Sequence, residues 1–146
     1  MIVYLDSSVL VKRYVAEKGS LPAGSLIDRA EAVGTAVISR AEVAAALAKA
    51  VRMHIVTRAG ASSALQVFSA DWNDFVRLQM TEVLMASAAS LAWDHGLRGY
   101  DAVHLASALF WQDMLGEAVT LATYDRQLWQ GGKKAGLIMW PEEKQL

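Results

Sequence analysis

Short apolar runs alternate along the chain with longer segments of helical periodicity. Ile2–Leu5, Val33–Ile38 and Ala118–Thr123 are rich in apolar and β-branched residues and lead into polar residues, a pattern typical of buried strands. Gln79–Thr81 and Leu137–Met139 predict two further short strands. Strands that alternate with helices pair in parallel through crossover helices, so the pattern predicts an α/β fold with a central parallel sheet.

The segments between these runs predict helices. They cover Ser7–Val15, Pro22–Glu31, Arg40–Val56, Ala61–Leu78, Glu82–His95, Ala102–Met114 and a short stretch that ends at Trp129. Asp6 or Ser7 is the expected N-cap of the first helix. Ser39 and Glu42 have the three-residue spacing of a capping box at the start of the third. The two glycines and two lysines of Gly131–Lys134 predict an exposed turn.

Composition indicates a globular protein and excludes several functional classes. The 146 residues suit one domain, residues 1–146, and a hydrophobic content of 54% with 20% charged residues excludes intrinsic disorder. The formal net charge of −1 excludes a binder that relies on a large excess of Lys and Arg. The absence of cysteine excludes a disulfide scaffold, a thiolate nucleophile and a Cys-containing zinc site.

Targeting signals are absent from the pattern. Met1–Asp6 lacks the basic region and the long apolar region of a signal peptide, and no later run approaches the length of a membrane span. We therefore expect a cytoplasmic protein without a membrane partner.

Four acidic residues lie where predicted strands end or predicted helices begin. Asp6 and Asp125 directly follow strands, and Glu42 and Asp101 lie in or before the first turn of helices. Ligands of open parallel α/β sheets bind outside the carboxyl ends of the strands. We expect the four carboxylates to converge on that edge of the sheet.

Capping explains each of these acids separately, because acidic side chains are favoured in the first helical turn by about 0.3–1 kcal/mol. Capping does not explain why all four adjoin strongly apolar runs. Clustered carboxylates beside a core repel one another unless cations pair with them, and Mg²⁺ or Mn²⁺ prefers oxygen ligands. The placement therefore predicts a divalent-metal site, and metal-assisted phosphodiester hydrolysis uses such a site without a protein nucleophile.

Four segments, in the same order along the chain, resemble the motifs of PIN-domain ribonucleases. The size of the chain and the style of the motifs are most similar to VapC toxins of type II toxin–antitoxin systems. The four segments are Tyr4–Ser8, Ser39–Glu42, Leu97–Ala108 and Leu121–Asp125. The resemblance implies a three-layer α/β/α sandwich around a central parallel sheet. It also implies a Mg²⁺- or Mn²⁺-dependent endoribonuclease acting on tRNA, rRNA or mRNA, with a VapB-type antitoxin as partner and a homodimer as assembly.

The resemblance also assigns roles to the acids. Asp6, Glu42 and Asp101 match the three principal metal-site acids, and Asp125 matches the fourth, so all four are implied to be catalytic and metal-binding. Many relatives carry a further acid shortly after the fourth one, where this chain has Arg126 and two uncharged residues.

Three more residues are implied to act around the acids. Ser7 and Thr123 match the family's small hydroxyl residues, which can hydrogen-bond carboxylates or metal-bound waters. Arg98 lies three residues before Asp101 and is a candidate to neutralise the acids or to bind a phosphate. His104 is expected to be a hydrogen-bonded core histidine rather than a catalytic group.

Two alternative functions remain open from the residues. A catalytically inactive PIN-like domain that binds RNA or a protein would be expected to lack some of the four acids. A phosphoacceptor signalling domain also places an Asp at a strand end, but that class requires paired acids where this chain has Asp6 followed by Ser7 and Ser8.

Overall fold

A computed structural model describes residues 1–146 and contains one five-stranded sheet in which every strand pair is parallel. The strands are β1 Ile2–Leu5, β2 Ala32–Ala36, β3 Val76–Leu78, β4 Val119–Ala122 and β5 Ile138–Trp140. Their spatial order is β3-β2-β1-β4-β5. The central strand β1 therefore has β2 on one side and β4 on the other, and the predicted α/β fold with a parallel sheet is confirmed.

Seven helices cover the two faces of the sheet. They are α1 Ser7–Leu10, α2 Ser20–Arg29, α3 Ser39–Arg52, α4 Arg58–Asp71, α5 Glu82–His95, α6 Gly99–Leu115 and α7 Arg126–Lys134. Along β1, Val3 and Leu5 pack in the core under α1 to α4, whereas Tyr4 packs in the core under α5 to α7. This alternation of side chains produces two cores, one on each face, and the three-layer arrangement is confirmed. None of the helices combines the length and apolar character that a membrane span requires.

Four predicted helices end earlier than expected, α2 at Arg29 and α3 at Arg52 by two and four residues and two others by more. The first is α-helical only as far as Leu10 and continues as a 3₁₀ turn over Val11–Arg13, although Asp6 caps it as predicted. The helix predicted to reach Leu78 ends at Asp71, and Val76–Leu78 forms β3 instead. The strand predicted at 79–81 was therefore placed three residues too late, because pairing with β2 determines the position of this short strand.

Two other local predictions were wrong. The capping box at α3 does not form, because the Ser39 hydroxyl forms a hydrogen bond with Thr35 Oγ1 at 2.6 Å and Ile38 occupies the cap position. The turn predicted at 131–134 is the last turn of α7, and Gly131 and Gly132 are buried in it. A Cβ atom on Gly132 would lie 2.6 Å from Met139 Sδ, so the missing side chain leaves room for Met139 against the helix.

A glycine on β2 provides a test of how closely α6 packs against the sheet. A Cβ atom on Gly34 would lie 2.6 Å from Cζ3 of the buried Trp111 ring on α6. We expect Gly34→Ala to lower the free energy of unfolding by about 1–3 kcal/mol, because a fully buried indole cannot move aside without disturbing the core. Urea unfolding monitored by circular dichroism measures this change.

Gly24 in the middle of α2 is the matched control, since nothing lies within 4 Å of a Cβ atom built there. We expect Gly24→Ala to raise the free energy of unfolding by up to about 1 kcal/mol, because alanine favours the helical backbone. Equal effects of the two substitutions would contradict the close approach of α6 to β2.

Candidate active site

The carboxyl ends of the neighbouring strands β1 and β4 bring Asp6 and Asp125 to one edge of the sheet. Thr123 joins them, because its hydroxyl donates to Asp6 Oδ2 at 2.6 Å and accepts the Asp125 backbone N–H at 3.0 Å. Helices α3 and α6 start at this edge and carry Glu42 and Asp101 in their first turns. All four predicted acids therefore lie at the carboxyl edge.

Asp6 is buried, with 4% of the residue exposed. Its Oδ1 accepts hydrogen bonds from the Ser8 hydroxyl at 2.6 Å and from the Val9 N–H at 3.1 Å, which caps α1. No Lys or Arg side chain forms an ion pair with this carboxylate. Burial raises the pKa of the Asp6 carboxyl above its ordinary value, and the nearby His104 and the hydrogen bonds from Ser8, Thr123 and Val9 oppose that rise.

The hydroxyl that contacts Asp6 from α1 belongs to Ser8 and not to the predicted Ser7. The Ser7 side chain makes no hydrogen bond in the structure, whereas Ser8 Oγ donates to Asp6 and accepts the Tyr124 N–H at 3.0 Å. Thr123, in contrast, contacts the carboxylate as the resemblance implied. Ser8 lies two residues after the N-cap and was missed because the motif alone does not distinguish the two serines.

Arg98 links two of the acids. Its Nε donates to Asp101 Oδ2 and its Nη2 donates to Asp125 Oδ2, both at 2.9 Å. These two carboxylates raise the pKa of the guanidinium. The Arg98 side chain is 71% exposed, whereas that of Asp101 is only 10% exposed. The guanidinium can therefore leave the two carboxylates without disturbing the core.

Glu42 is held by a buried hydrogen-bonded chain. His104 Nε2 lies 2.7 Å from Glu42 Oε1, and its Nδ1 lies 2.8 Å from the Tyr4 hydroxyl. The Tyr4 oxygen also accepts the Ala36 N–H at 3.1 Å. With a neutral imidazole, the Tyr4 hydroxyl donates to Nδ1 and the Nε2–H donates to Glu42, so each of these three side chains has a hydrogen-bonding partner.

His104 is thus buried and hydrogen-bonded, as expected from the sequence, but it also orients a candidate ligand. The signal for this role was its position three residues after Asp101, which places both side chains on one side of α6. Burial raises the pKa of the Tyr4 hydroxyl well above its ordinary value, so this group stays protonated.

The four acids provide the oxygen donors that a hard divalent cation prefers, but their side chains are not gathered around one point. No group of three or more His, Asp or Glu side chains in the chain is placed to hold one metal ion. The chemical fit rests on Asp6, a buried carboxylate that accepts hydrogen bonds from neutral donors and forms no ion pair with a Lys or Arg side chain. Carboxylate oxygens are the ligands that Mg²⁺ and Mn²⁺ prefer.

Comparison with known proteins identifies the same fold. Residues 3–132 match the family model for the PIN domain, a range that includes all four acids. Among solved structures, PAE2754 from Pyrobaculum aerophilum superposes with a TM-score of 0.65 and 24% identity, covering 95% of this chain and 83% of that chain. VapBC2 from Rickettsia felis, bound to a DNA fragment from its promoter, superposes with a TM-score of 0.63 and 15% identity, covering 95% and 97%.

Two curated relatives are more similar in sequence. Ribonuclease VapC45 from Mycobacterium tuberculosis strain CDC 1551 is 37% identical over 146 residues, covering 97% of this chain and 96% of the relative. Ribonuclease VapC49 from strain H37Rv of the same species has the same identity and coverage. Because the family model covers most of the chain and these relatives match nearly all of it, the chain belongs to the PIN-domain family.

Proposed function

We propose that the chain is a Mg²⁺- or Mn²⁺-dependent endoribonuclease that folds as one domain and acts as the toxin of a VapBC-type pair. The observation that carries the proposal is the buried carboxylate of Asp6, which has no Lys or Arg partner and is joined through Thr123 to Asp125 at the carboxyl edge. Two relatives at 37% identity that are named ribonucleases support RNA as the substrate.

Asp6, Glu42, Asp101 and Asp125 are the residues that would hold the metal. A bound Mg²⁺ or Mn²⁺ supplies Lewis acidity, which lowers the pKa of water and stabilises negative charge on a phosphate. The protein residues around the acids restrict their movement, since Ser8 and Thr123 hold both oxygens of Asp6. His104 and Tyr4 hold Glu42 in the same way.

Arg98 is the residue best placed to bind the phosphate. It is exposed at the edge of the site and presents a planar guanidinium, which matches the geometry of two phosphate oxygens. Transfer of its hydrogen bonds from Asp101 and Asp125 to RNA would leave those two carboxylates free for the metal.

The charge of the chain is consistent with this division of roles. Of the 15 acidic residues, four are assigned to the metal, and the other 11 face 14 basic residues. The basic excess outside the site favours approach of an RNA backbone once the metal balances the four acids.

The proposed partners are an RNA of the tRNA, rRNA or mRNA class, a cognate VapB-type antitoxin and a second copy of the chain, all in the cytoplasm. Structures similar in fold include a toxin–antitoxin complex from Klebsiella pneumoniae with a TM-score of 0.61 and 16% identity, covering 84% of this chain and 86% of that chain. A homodimer is supported by the exposed Phe110 on α6, since large exposed aromatic side chains are enriched at interfaces.

Asp6→Asn tests the assignment of the metal site. We expect at least about a 100-fold loss of RNA cleavage, because a ligand contributes more to metal binding than the outer residues whose loss costs 10–100-fold. We also expect Mn²⁺ to raise the melting temperature of the wild-type protein and not that of the variant. Gel-based cleavage assays and thermal unfolding with and without Mn²⁺ measure the two effects.

Asp94→Asn is the matched control, because Asp94 is exposed on α5 and forms no ion pair. It should retain wild-type cleavage and the Mn²⁺-dependent stabilisation. Wild-type cleavage rates in Asp6→Asn, or cleavage that persists after chelation of divalent ions, would refute the metal-dependent mechanism.

Arg98→Gln separates the two roles of the guanidinium. Removal of the positive charge beside Asp101 and Asp125 should tighten Mn²⁺ binding several-fold in calorimetric titration, because less repulsion opposes the ion. The same change should raise the KM for RNA, because a phosphate ligand is lost. Arg77→Gln on β3 is the control, and an unchanged KM together with unchanged Mn²⁺ affinity in Arg98→Gln would exclude both roles.

A further inference from the structure

A pocket lies at the same edge of the sheet as the four acids, on the side of α1 and α2. It has a volume of about 450 Å³, and its walls include Lys12, Lys18, Tyr124 and Trp140. Pockets of this size bind small organic groups. None of these four residues belongs to the acidic site, and none is explained by the metal chemistry proposed above.

The aromatic wall of the pocket is held in place by strand pairing. Ala122 of β4 lies opposite Trp140 of β5, and the Thr123 N–H donates to the Trp140 carbonyl at 3.0 Å. The rings of Tyr124 and Trp140 pack edge to face with centroids 5.5 Å apart, and the Tyr124 hydroxyl donates to the Gly19 carbonyl at 3.3 Å. Rings that are already ordered in this way form a stacking surface for an unpaired base.

The two lysines of the pocket differ in their freedom. Lys12 Nζ is held by Glu17 Oε1 at 3.0 Å and by the Lys18 carbonyl at 2.8 Å, and it lies 4.8 Å from the centroid of the Tyr124 ring. The Lys18 side chain is exposed and forms no ion pair. Lys12 is therefore part of the wall, whereas the Lys18 ammonium is free to pair with an anion.

The pocket is directly connected to the acidic site. The Tyr124 N–H donates to Ser8 Oγ at 3.0 Å, and Ser8 Oγ donates to Asp6 Oδ1 at 2.6 Å. Tyr124 also immediately precedes Asp125, and consecutive Cα atoms are about 3.8 Å apart. The pocket wall and the acidic site are thus adjacent in the sequence and are joined through the Ser8 hydroxyl.

We propose that this pocket binds one unpaired nucleobase of the RNA substrate beside the cleaved phosphodiester, with the base against Tyr124 and Trp140 and the neighbouring phosphate on Lys18. The proposal rests on the function proposed above, and it assigns these residues to substrate specificity rather than to the chemical step. A base held here positions the next phosphate at the acids.

Photo-crosslinking tests the position of the base. A 2′-O-methyl RNA hexamer with 5-iodouridine at one position is irradiated with the full-length protein in Mg²⁺, and tryptic peptides are sequenced by mass spectrometry. We expect crosslinks on peptide 135–144, in which Trp140 is the sole aromatic residue, and on Tyr124 in peptide 99–126. Crosslinks confined to other residues would overturn the proposal.

Steady-state cleavage kinetics test the contribution of the pocket. We expect Trp140→Leu to raise KM about tenfold, as loss of one stacked base does, with kcat changed less than about twofold. Trp140→Phe retains an aromatic face and should restore most of the affinity, which separates stacking from a general loss of structure. Lys18→Gln should raise KM several-fold and weaken its dependence on salt.

Lys134→Gln is the matched control, because α7 starts at the carboxyl edge and carries Lys134 away to the opposite edge. Wild-type KM values in both Trp140→Leu and Lys18→Gln would overturn the pocket while leaving the nuclease assignment intact. Crosslinks at Trp140 in a protein that cleaves no RNA would instead refute the nuclease and retain the pocket as a nucleic-acid site.

Discussion

The carboxylate buried at the end of β1 is the interaction on which the carboxyl edge depends. β1 is the central strand, so the position of Asp6 is determined by pairing with β2 and β4 together. Its two oxygens accept the hydrogen bonds that start α1 and that hold Thr123. Asn would cap the helix about equally well and would avoid the cost of burying a charge. Capping alone therefore does not account for an acid at this position.

The other acids are balanced by groups of very different mobility. Glu42 is bonded to a histidine that is 2% exposed and is itself held by Tyr4, so its orientation is part of the core. Asp101 and Asp125 are bonded to the exposed side chain of Arg98. The Glu42 side chain is therefore fixed by the core, whereas Asp101 and Asp125 can exchange the Arg98 guanidinium for another cation without unfolding. A site that binds and releases ions or substrate requires this combination.

The architecture was predictable wherever local pattern and tertiary environment agree. The apolar runs of β1 and β4 led to the parallel sheet, since their burial on both faces leaves a continuous hydrophobic signal. β3 was misplaced because a three-residue strand carries little periodicity and its register depends on contacts with β2, about 40 residues earlier. The end of α7 was misjudged because two glycines usually end a helix, whereas here their missing side chains allow contact with Met139.

The same limit applies to the site. The four acids could be found because their positions at element ends are a property of the sequence, whereas the partners of those acids are a property of the packed structure. Ser7 and Ser8 are equivalent in the motif, and only the rotation of α1 determines that Ser8 faces the carboxylate. That choice has a consequence across the edge, because the same hydroxyl also accepts the Tyr124 N–H. The backbone of the aromatic pocket and the buried carboxylate thus share one oxygen atom as a hydrogen-bonding partner, so loss of the Ser8 hydroxyl would leave both without that partner.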